Sequence, residues 1–565
     1  MRDWLFNSMY WLNQSYGLLL SVPLFTLMLL GVDIRQNDPE VGLGKLFLIK
    51  IRQLLVFFLI SIILIIPLAV WIGLLIAYWD ASTATNAMLA WMKAMAVQHW
   101  QWIVGTLLLG LTSRISVRRY VIPKWSNIKK YFRVNVSQDT PSDIRTEKQR
   151  FEAFAFKPEE FYKLDTVFFG LDEKQKQVSI PIPIWRETNK QLIGPTRFGK
   201  GVMLGNFIAQ SIMRGDSVIY IDPKADKFLP HIMADYAEKY QRDFIYCDLN
   251  DDGVGGWHPF LGGDQRARRA RLMMAFGLED TGKESDFYKV KERKIIDQVI
   301  IPHGLKINGM KQLFEQESHK ELLENAQRAY SHISEWAEIK SLCPKGAGLS
   351  FEKSLINNAV IYIKGSLDDE VVCNATRVMI MEIIQEARRL KNQRTSHLSL
   401  YIDEVSFLVS RVLVDALATV VGFDTDITLA YQSKTDLRKL KDKNLDPFAV
   451  EKSVDTNCQI KFLYGSQDID TCEWAEKMSG TLQKHITRME ATDIGGLGEE
   501  TWRGQRFISL LEESHVTHNM MLSLKPRVGV LFQPSQLAQT VYTHWLESTC
   551  SHQFDKQHYI KSVKI

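Results

Sequence analysis

The pattern of hydrophobic and polar positions divides this chain into two kinds of sequence. Leu54 to Trp79 is an uncharged apolar run of 26 residues, long enough to cross a bilayer with some tilt. A soluble core helix rarely stays apolar on every face for so many turns, so the run predicts a membrane span, kinked at Pro67. A second, less apolar span is predicted at about Met95 to Thr112. Gln98, His99 and Gln101 lie toward its outer end, and Trp100 and Trp102 suit an interfacial belt. His99 reads as interfacial. Lys45, Lys50 and Arg52 precede the first span, and Arg114, Arg118, Arg119 and Lys124 follow the second. These basic flanks belong in the cytoplasm, which leaves a short outer loop near residues 80–94. Gly17 to Val32, an apolar stretch of 16 residues containing Pro23, is marginal for spanning and is expected in the interface or against the hairpin.

From about residue 125 the pattern changes. Short apolar runs alternate with helical stretches, giving strand candidates at 191–194, 217–222, 243–247, 358–364, 398–403, 426–431, 458–464 and 527–532. Ser179 to Trp185 alternates apolar residues with prolines, as an edge strand can. Strands separated by helices predict an α/β fold with a mainly parallel sheet covered on both faces, its chemistry beyond the carboxyl ends of the strands. Between residues 262 and 350 strand signals stop, and helices are predicted at 264–277, 285–305, 307–315 and 319–341. This interval reads as an all-α insertion domain. It opens with Arg266, Arg268, Arg269 and Arg271, either a solvated helix face or a contact to a phosphate backbone.

The expected organisation is an N-terminal segment 1–53, a transmembrane hairpin 54–113 and a linker 114–175. The α/β domain 176–261 and 351–550 follows, interrupted by the all-α domain 262–350, with a flexible tail 551–565. Composition changes this little. The length of 565 residues exceeds one ordinary domain, and a net charge of +4 permits a nucleic-acid partner without requiring one. The six cysteines are scattered with no C-x-x-C pair, against a zinc site or disulfide framework and in keeping with a reducing compartment.

Candidate chemistry begins at the first of these strands. Gly194, Gly199 and Lys200 stand in the G-x-x-x-x-G-K spacing of a P-loop, spelled Gly194-Pro195-Thr196-Arg197-Phe198-Gly199-Lys200-Gly201-Val202. Backbone N–H groups of such a loop form a nest for phosphate oxygens, Lys200 reaches the β- and γ-phosphates, and the following helix adds its positive dipole end. Gly201 stands where Ser or Thr usually offers magnesium a hydroxyl. Leu398 to Glu404 is an apolar strand closing on paired carboxylates, the form of a Walker B motif: Asp403 to hold hydrated Mg²⁺, Glu404 to orient and deprotonate the attacking water. A further strand ends in Gln432, placed to sense a γ-phosphate. ATP with Mg²⁺ is the expected cofactor.

These motifs, with Tyr220-Ile-Asp222-Pro223-Lys224, Trp257-His-Pro259-Phe260, Ala430-Tyr-Gln432-Ser433, Asn457-Cys-Gln-Ile-Lys461 and the stretch Asp468–Gly480, make the chain resemble the type IV coupling proteins, the TraD/TraG-type ATPases of conjugation and type IV secretion. The resemblance covers the membrane hairpin and most of residues 175–535. It implies a RecA-like P-loop NTPase domain in a bacterial inner-membrane protein with its motor in the cytoplasm. It also implies a homo-hexamer that passes relaxase-bound single-stranded DNA, protein, or both to the inner-membrane components of a secretion channel. TraG-type members also place Gly after the P-loop lysine, which leaves magnesium to Asp403, phosphates and water. Ala225 stands where many relatives have Gly. An arginine from the neighbouring subunit usually completes such sites, and Arg377 and Arg411 are both candidates. Two alternatives stay open: an FtsK-type chromosome translocase, whose four spans, long linker and winged-helix reader are not evident here, and a membrane scaffold that binds nucleotide without hydrolysing it.

Overall fold

The computed structural model describes residues 2–30, 43–131, 150–250, 255–280, 282, 284, 286–300, 322, 324–344, 348–442, 444–494 and 500–554. The chain falls into two compact units, Met1–Asp139 with His485–Leu511, and Thr140–Lys484 with Glu512–Ile565.

The first unit is built on three long helices, α1 (Arg2–Leu29), α2 (Leu43–Tyr78) and α3 (Ala81–Ser116). By length and composition two segments suffice to cross a membrane, Phe6–Leu29 in α1 and Leu46–Tyr78 in α2. Among the described residues α1 thus passes that measure alongside α2, while residues 95–112, the expected second span, lie within α3, where Lys93, Gln98, His99 and Gln101 dilute the apolar character. Pro23 does not interrupt α1, which runs unbroken from Arg2 to Leu29, and the Thr26 hydroxyl donates to the carbonyls of Val22 and Pro23. The loop expected at 80–94 is helical instead. Its turn is confined to Trp79 and Asp80, whose carboxylate accepts the Ser82 and Thr83 N–H groups and starts α3 at once. His99 is buried with Nε2 2.6 Å from the Asn13 carbonyl, in a space that only Gly17 leaves open, so it packs α3 against α1.

Thirteen strands occur among the described residues: β1 (Thr166–Leu171), β2 (Gln177–Pro181), β3 (Lys190–Ile193), β4 (Ser217–Asp222), β5 (Phe244–Asp248), β6 (Val360–Lys364), β7 (Leu398–Ile402), β8 (Thr425–Tyr431), β9 (Ile460–Tyr464), β10 (Thr481–Ile494), β11 (Glu500–Ser514), β12 (Val528–Phe532) and β13 (Gln539–Tyr542). Eleven form one sheet in the second unit, ordered β2-β1-β13-β12-β9-β3-β8-β7-β4-β6-β5, and β10 and β11 form a separate two-stranded ribbon. Strands β9 to β5 in that order pair in parallel, while β2, β1, β13 and β12 extend the sheet antiparallel. The central strands β3, β4, β7 and β8 are buried along their whole length, as a sheet covered on both faces requires. Pairing sets Ile193 beside Tyr431 and Ile221 beside Ile402, which aligns the carboxyl ends of β3, β8, β4 and β7.

The eight internal strand candidates all fall on strands. Ser179–Trp185 does so only as far as Pro181, because Pro183 lies in the first turn of a short helix, Ile182–Arg186. In the interval 262–350 no strand occurs among the described residues; its helices include Gln265–Ala275, Asp286–Ile295 and Gln327–Glu338, and the helix expected at 307–315 lies outside them. The arginine run is not one solvated face. Arg271 is buried, its Nη1 2.8 Å from Glu382 Oε1, while the Trp257 indole donates to the other Glu382 oxygen.

One buried charge cluster lies near the amino end of β8. Asp426 accepts from Lys190 Nζ at 2.8 Å and Ser399 Oγ at 2.9 Å, with His397 Nε2 2.6 Å away. Burial pushes the Lys190 ammonium down to about 8; the Asp426 carboxyl is pushed up by burial but held at about 2 by Lys190 and His397. Asp426→Ala should cost about 3–5 kcal/mol, because it strands a buried ammonium. A thermal melt of the variant near neutral pH checks this. Asp426's own contribution is complete above its ordinary value of 3.8 and is lost as pH falls toward about 2.

Candidate functional site

The loop between β3 and the helix Lys200–Arg214 is shaped by two glycines and one tyrosine. A side chain at Gly194 would lie 2.8 Å from Cβ of Tyr464, and Gly199 adopts φ +124° with the same ring 3.0 Å from where its Cβ would be. Arg197 takes φ +70°, so the backbone turns sharply twice before the helix begins. Gly201 differs from these: a Cβ there would meet only Asp226 Oδ2, at 3.5 Å, an ordinary contact. The absent hydroxyl is therefore not a steric necessity.

Lys200 is buried, with Nζ 3.5 Å from Glu404 Oε1. Gln432 at the end of β8 donates its amide to both Glu404 oxygens, at 3.1 and 3.2 Å. Glu404 sits at φ +43°, a left-handed conformation that costs a non-glycine residue energy and turns its side chain off the line of β7. Asp403 is tied to β4 through its N–H to the Ile221 carbonyl, and its Oδ1 accepts the Glu404 N–H at 2.9 Å. Lys200, Glu404 and Gln432 are thus in direct contact and Asp403 adjoins them. Pro195, Thr196, Arg197, Gly199, Gly201 and Val202 line the same cavity of about 980 Å³.

Two residues in this cluster carried no role in the sequence reading. Lys224 reaches Glu404 Oε1 at 3.6 Å from the turn after β4. That turn is organised by Asp222, whose carboxylate accepts the N–H groups of Lys224, Ala225 and Asp226 and the Tyr362 hydroxyl. The acidic end of β4 was visible in the sequence; its use as a turn organiser was not.

Burial pushes the Asp403 carboxyl up to about 7 and the Asp222 carboxyl above its ordinary value; the carboxylates of Glu404 and Asp222 add to the effect on Asp403, and Lys200 opposes it. Asp222 is taken up by its four hydrogen bonds, so Asp403 and Glu404, beside Lys200 and Lys224, are the carboxylates left for a divalent cation that arrives with phosphate. Among the described residues no cluster of three or more His, Cys, Asp or Glu is arranged to hold a metal. Magnesium here would depend on phosphate oxygens and water for most of its ligands, as it commonly does. Of the two arginine candidates, Arg377 donates to the Phe407 carbonyl at 2.9 Å, whereas the Arg411 side chain is 79% exposed.

No protein-family profile matches the chain. It is 26% identical over 342 residues to mobilization protein A of Escherichia coli, a match covering 60% of this chain and 61% of that protein. The chain thus matches about three-fifths of its relative's length. Among solved structures it is similar to the bacterial conjugative coupling protein TrwB lacking its first 70 residues, with a TM-score of 0.52 at 15% identity, over 72% of this chain and 97% of that one. It is likewise similar to the plasmid coupling protein TrwB in complex with the non-hydrolysable GTP analogue GDPNP, with a TM-score of 0.50 at 15% identity, over 73% and 94%. The chain has the fold of the coupling protein TrwB: a RecA-like mixed α/β sheet, here with two long apolar helices at the N-terminus.

Proposed function

We propose that this chain is an ATP-hydrolysing motor of the coupling-protein type, anchored in a bacterial inner membrane. It recruits relaxase-bound single-stranded DNA, with or without protein cargo, and delivers it to a type IV secretion channel as a homo-hexamer. The observation that carries the reading is the meeting of Lys200, Glu404 and Gln432, with Asp403 beside them, at the carboxyl ends of three parallel strands, with Lys200, Asp403 and Glu404 lining one cavity. Brought from 232 positions of sequence (residues 200 to 432), they have the chemistry of triphosphate binding and water activation. Kinship with a mobilization protein and likeness to TrwB support the conjugative setting.

In this reading the loop Gly194–Val202 cradles the phosphates, and Lys200 leaves Glu404 to meet them. Asp403 would hold magnesium, which would supply charge neutralisation when bound. Glu404 accepts the proton of the attacking water, and Gln432 keeps its carboxylate oriented. Arg411, exposed at the start of its helix, is the better placed of the two arginines to reach a neighbouring subunit.

The test is ATP turnover by the full chain in lipid nanodiscs, with and without single-stranded DNA. Turnover that rises several-fold on adding DNA is expected. Nucleotide binding with no turnover under either condition would favour the scaffold alternative and overturn the motor.

A further inference from the structure

Just ahead of the expected flexible tail 551–565, of which only Ser551–Phe554 lies among the described residues, the chain lines the cavity with Trp545, Leu546, Glu547, Ser548 and Cys550. After β13 the chain runs as a strap from Thr543 to Phe554 across the helix Lys200–Arg214 and onto the helix Leu229–Lys239. Its root is tied to the phosphate loop: the Arg527 N–H donates to the Phe198 carbonyl, Thr543 donates its N–H back to the Arg527 carbonyl, and the Tyr464 hydroxyl lies 3.0 Å from Thr543 Oγ1. Tyr464 is the ring on which Gly194 and Gly199 rest. Farther along, Asn206 donates to the His544 carbonyl, and the Arg527 guanidinium lies 4.6 Å over the Trp545 ring.

The far end closes on a single carboxylate. Asp235 accepts from Ser548 Oγ at 2.8 Å and from Thr549 through both its N–H and Oγ1, with His552 Nε2 at 2.7 Å. Burial alone would raise this carboxyl; the hydrogen bonds from Ser548, His552 and Thr549 hold it below the ordinary aspartate range. Phe554 then stacks on Tyr246 at 4.6 Å. Between root and catch, Trp545 and Leu546 line the cavity together with Phe228, Leu229 and Ile232 and with residues of the phosphate loop.

We propose that this strap is the wall of the subsite for the nucleoside portion of the nucleotide, and that Asp235 is the positioning residue that latches it shut. The proposal rests on the nucleotide reading above. With phosphates fixed at Lys200, the remaining lining sets Phe228, Leu229, Ile232, Trp545 and Leu546 beside the polar Asp226, Glu547 and Ser548, a mix of apolar contact and polar groups that suits a nucleoside. The strap shares backbone hydrogen bonds with the phosphate loop through Arg527, so a ligand that orders one end orders the other. Release of nucleotide then requires the strap to leave Asp235.

The experiment follows radiolabelled ATPγS dissociating from the full chain after a chase of unlabelled ATP. Asp235→Ala should raise the dissociation rate about tenfold, the order expected for losing several hydrogen bonds to one charged group. Competition by inorganic tripolyphosphate, which lacks a nucleoside, should stay as strong as in the wild type, showing the phosphate cradle intact. The double variant S548A/T549V should repeat the effect should Asp235→Ala fold poorly. Cys550, exposed on the strap and lining the cavity, should react more slowly with N-ethylmaleimide when ATPγS is bound. Unchanged dissociation in both variants, or Cys550 alkylation indifferent to ATPγS, overturns the latch while leaving nucleotide binding in place. A wild type that binds neither ATPγS nor tripolyphosphate overturns the nucleotide reading itself, and the latch with it.

Discussion

Glu404→Gln lowers ATP turnover by about 10²–10⁴-fold, the range expected for removing a general base, while the variant binds ATP at least as tightly as the parent. The two readouts move apart for a reason visible in the structure. Without nucleotide, Glu404 holds Lys200 at 3.5 Å, so the carboxylate competes with phosphate for the same ammonium. A neutral amide preserves shape and the neighbourhood of Gln432 but weakens that competition. Single-turnover hydrolysis and equilibrium binding, measured on the same preparation, separate the effects. Turnover equal to the parent's would remove Glu404 from the chemistry; binding weakened in step with turnover would make its role structural.

Lys200→Ala acts on the other side of that pair, and its loss falls on binding. Removing a buried ammonium from the phosphate cradle should weaken ATP by about 1.5–3 kcal/mol, roughly 10- to 150-fold. It also leaves Glu404 buried with Gln432 and Lys224 as its hydrogen-bonding and ionic neighbours. Isothermal titration with a non-hydrolysable ATP analogue checks the affinity. An affinity within twofold of the parent would mean the loop Gly194–Val202 does not hold the triphosphate.

Much of the central sheet was legible because its strands advertise themselves locally. Val218 to Ile221 and Leu398 to Ile402 are short buried runs with polar ends, and in parallel sheets such runs are seldom anything else. Lys200, Asp403, Glu404 and Gln432 were found together for the same reason: each sits at such a strand end or in the loop that follows one. The antiparallel margin was less readable. Thr166–Leu171 lacks alternation since both its faces are covered, and Gln539–Tyr542 is too short to show a period. The role of Lys224, and Tyr464 and the strap altogether, escaped notice because their meaning lies in contacts between distant positions, such as Lys224 with Glu404, Tyr464 with Thr543 or Asp235 with Ser548, that leave no local pattern. In the first unit, Pro23 and the brevity of the clean apolar stretch hid a helix that the structure runs unbroken from Arg2 to Leu29.

The ribbon of β10 and β11 has a practical corollary for anyone dissecting this protein. Its middle, His485–Leu511, belongs to the same compact unit as the three long helices, although hundreds of positions separate them in sequence. Cutting the gene near codon 130 to obtain a fragment without the long helices would therefore divide this unit. The product would keep two strands of 14 and 15 residues bereft of the body they were grouped with. An orphaned strand pair is barely stable in water and exposes edges that recruit other chains, so clumping of such a fragment would report on the cut and not on the catalyst.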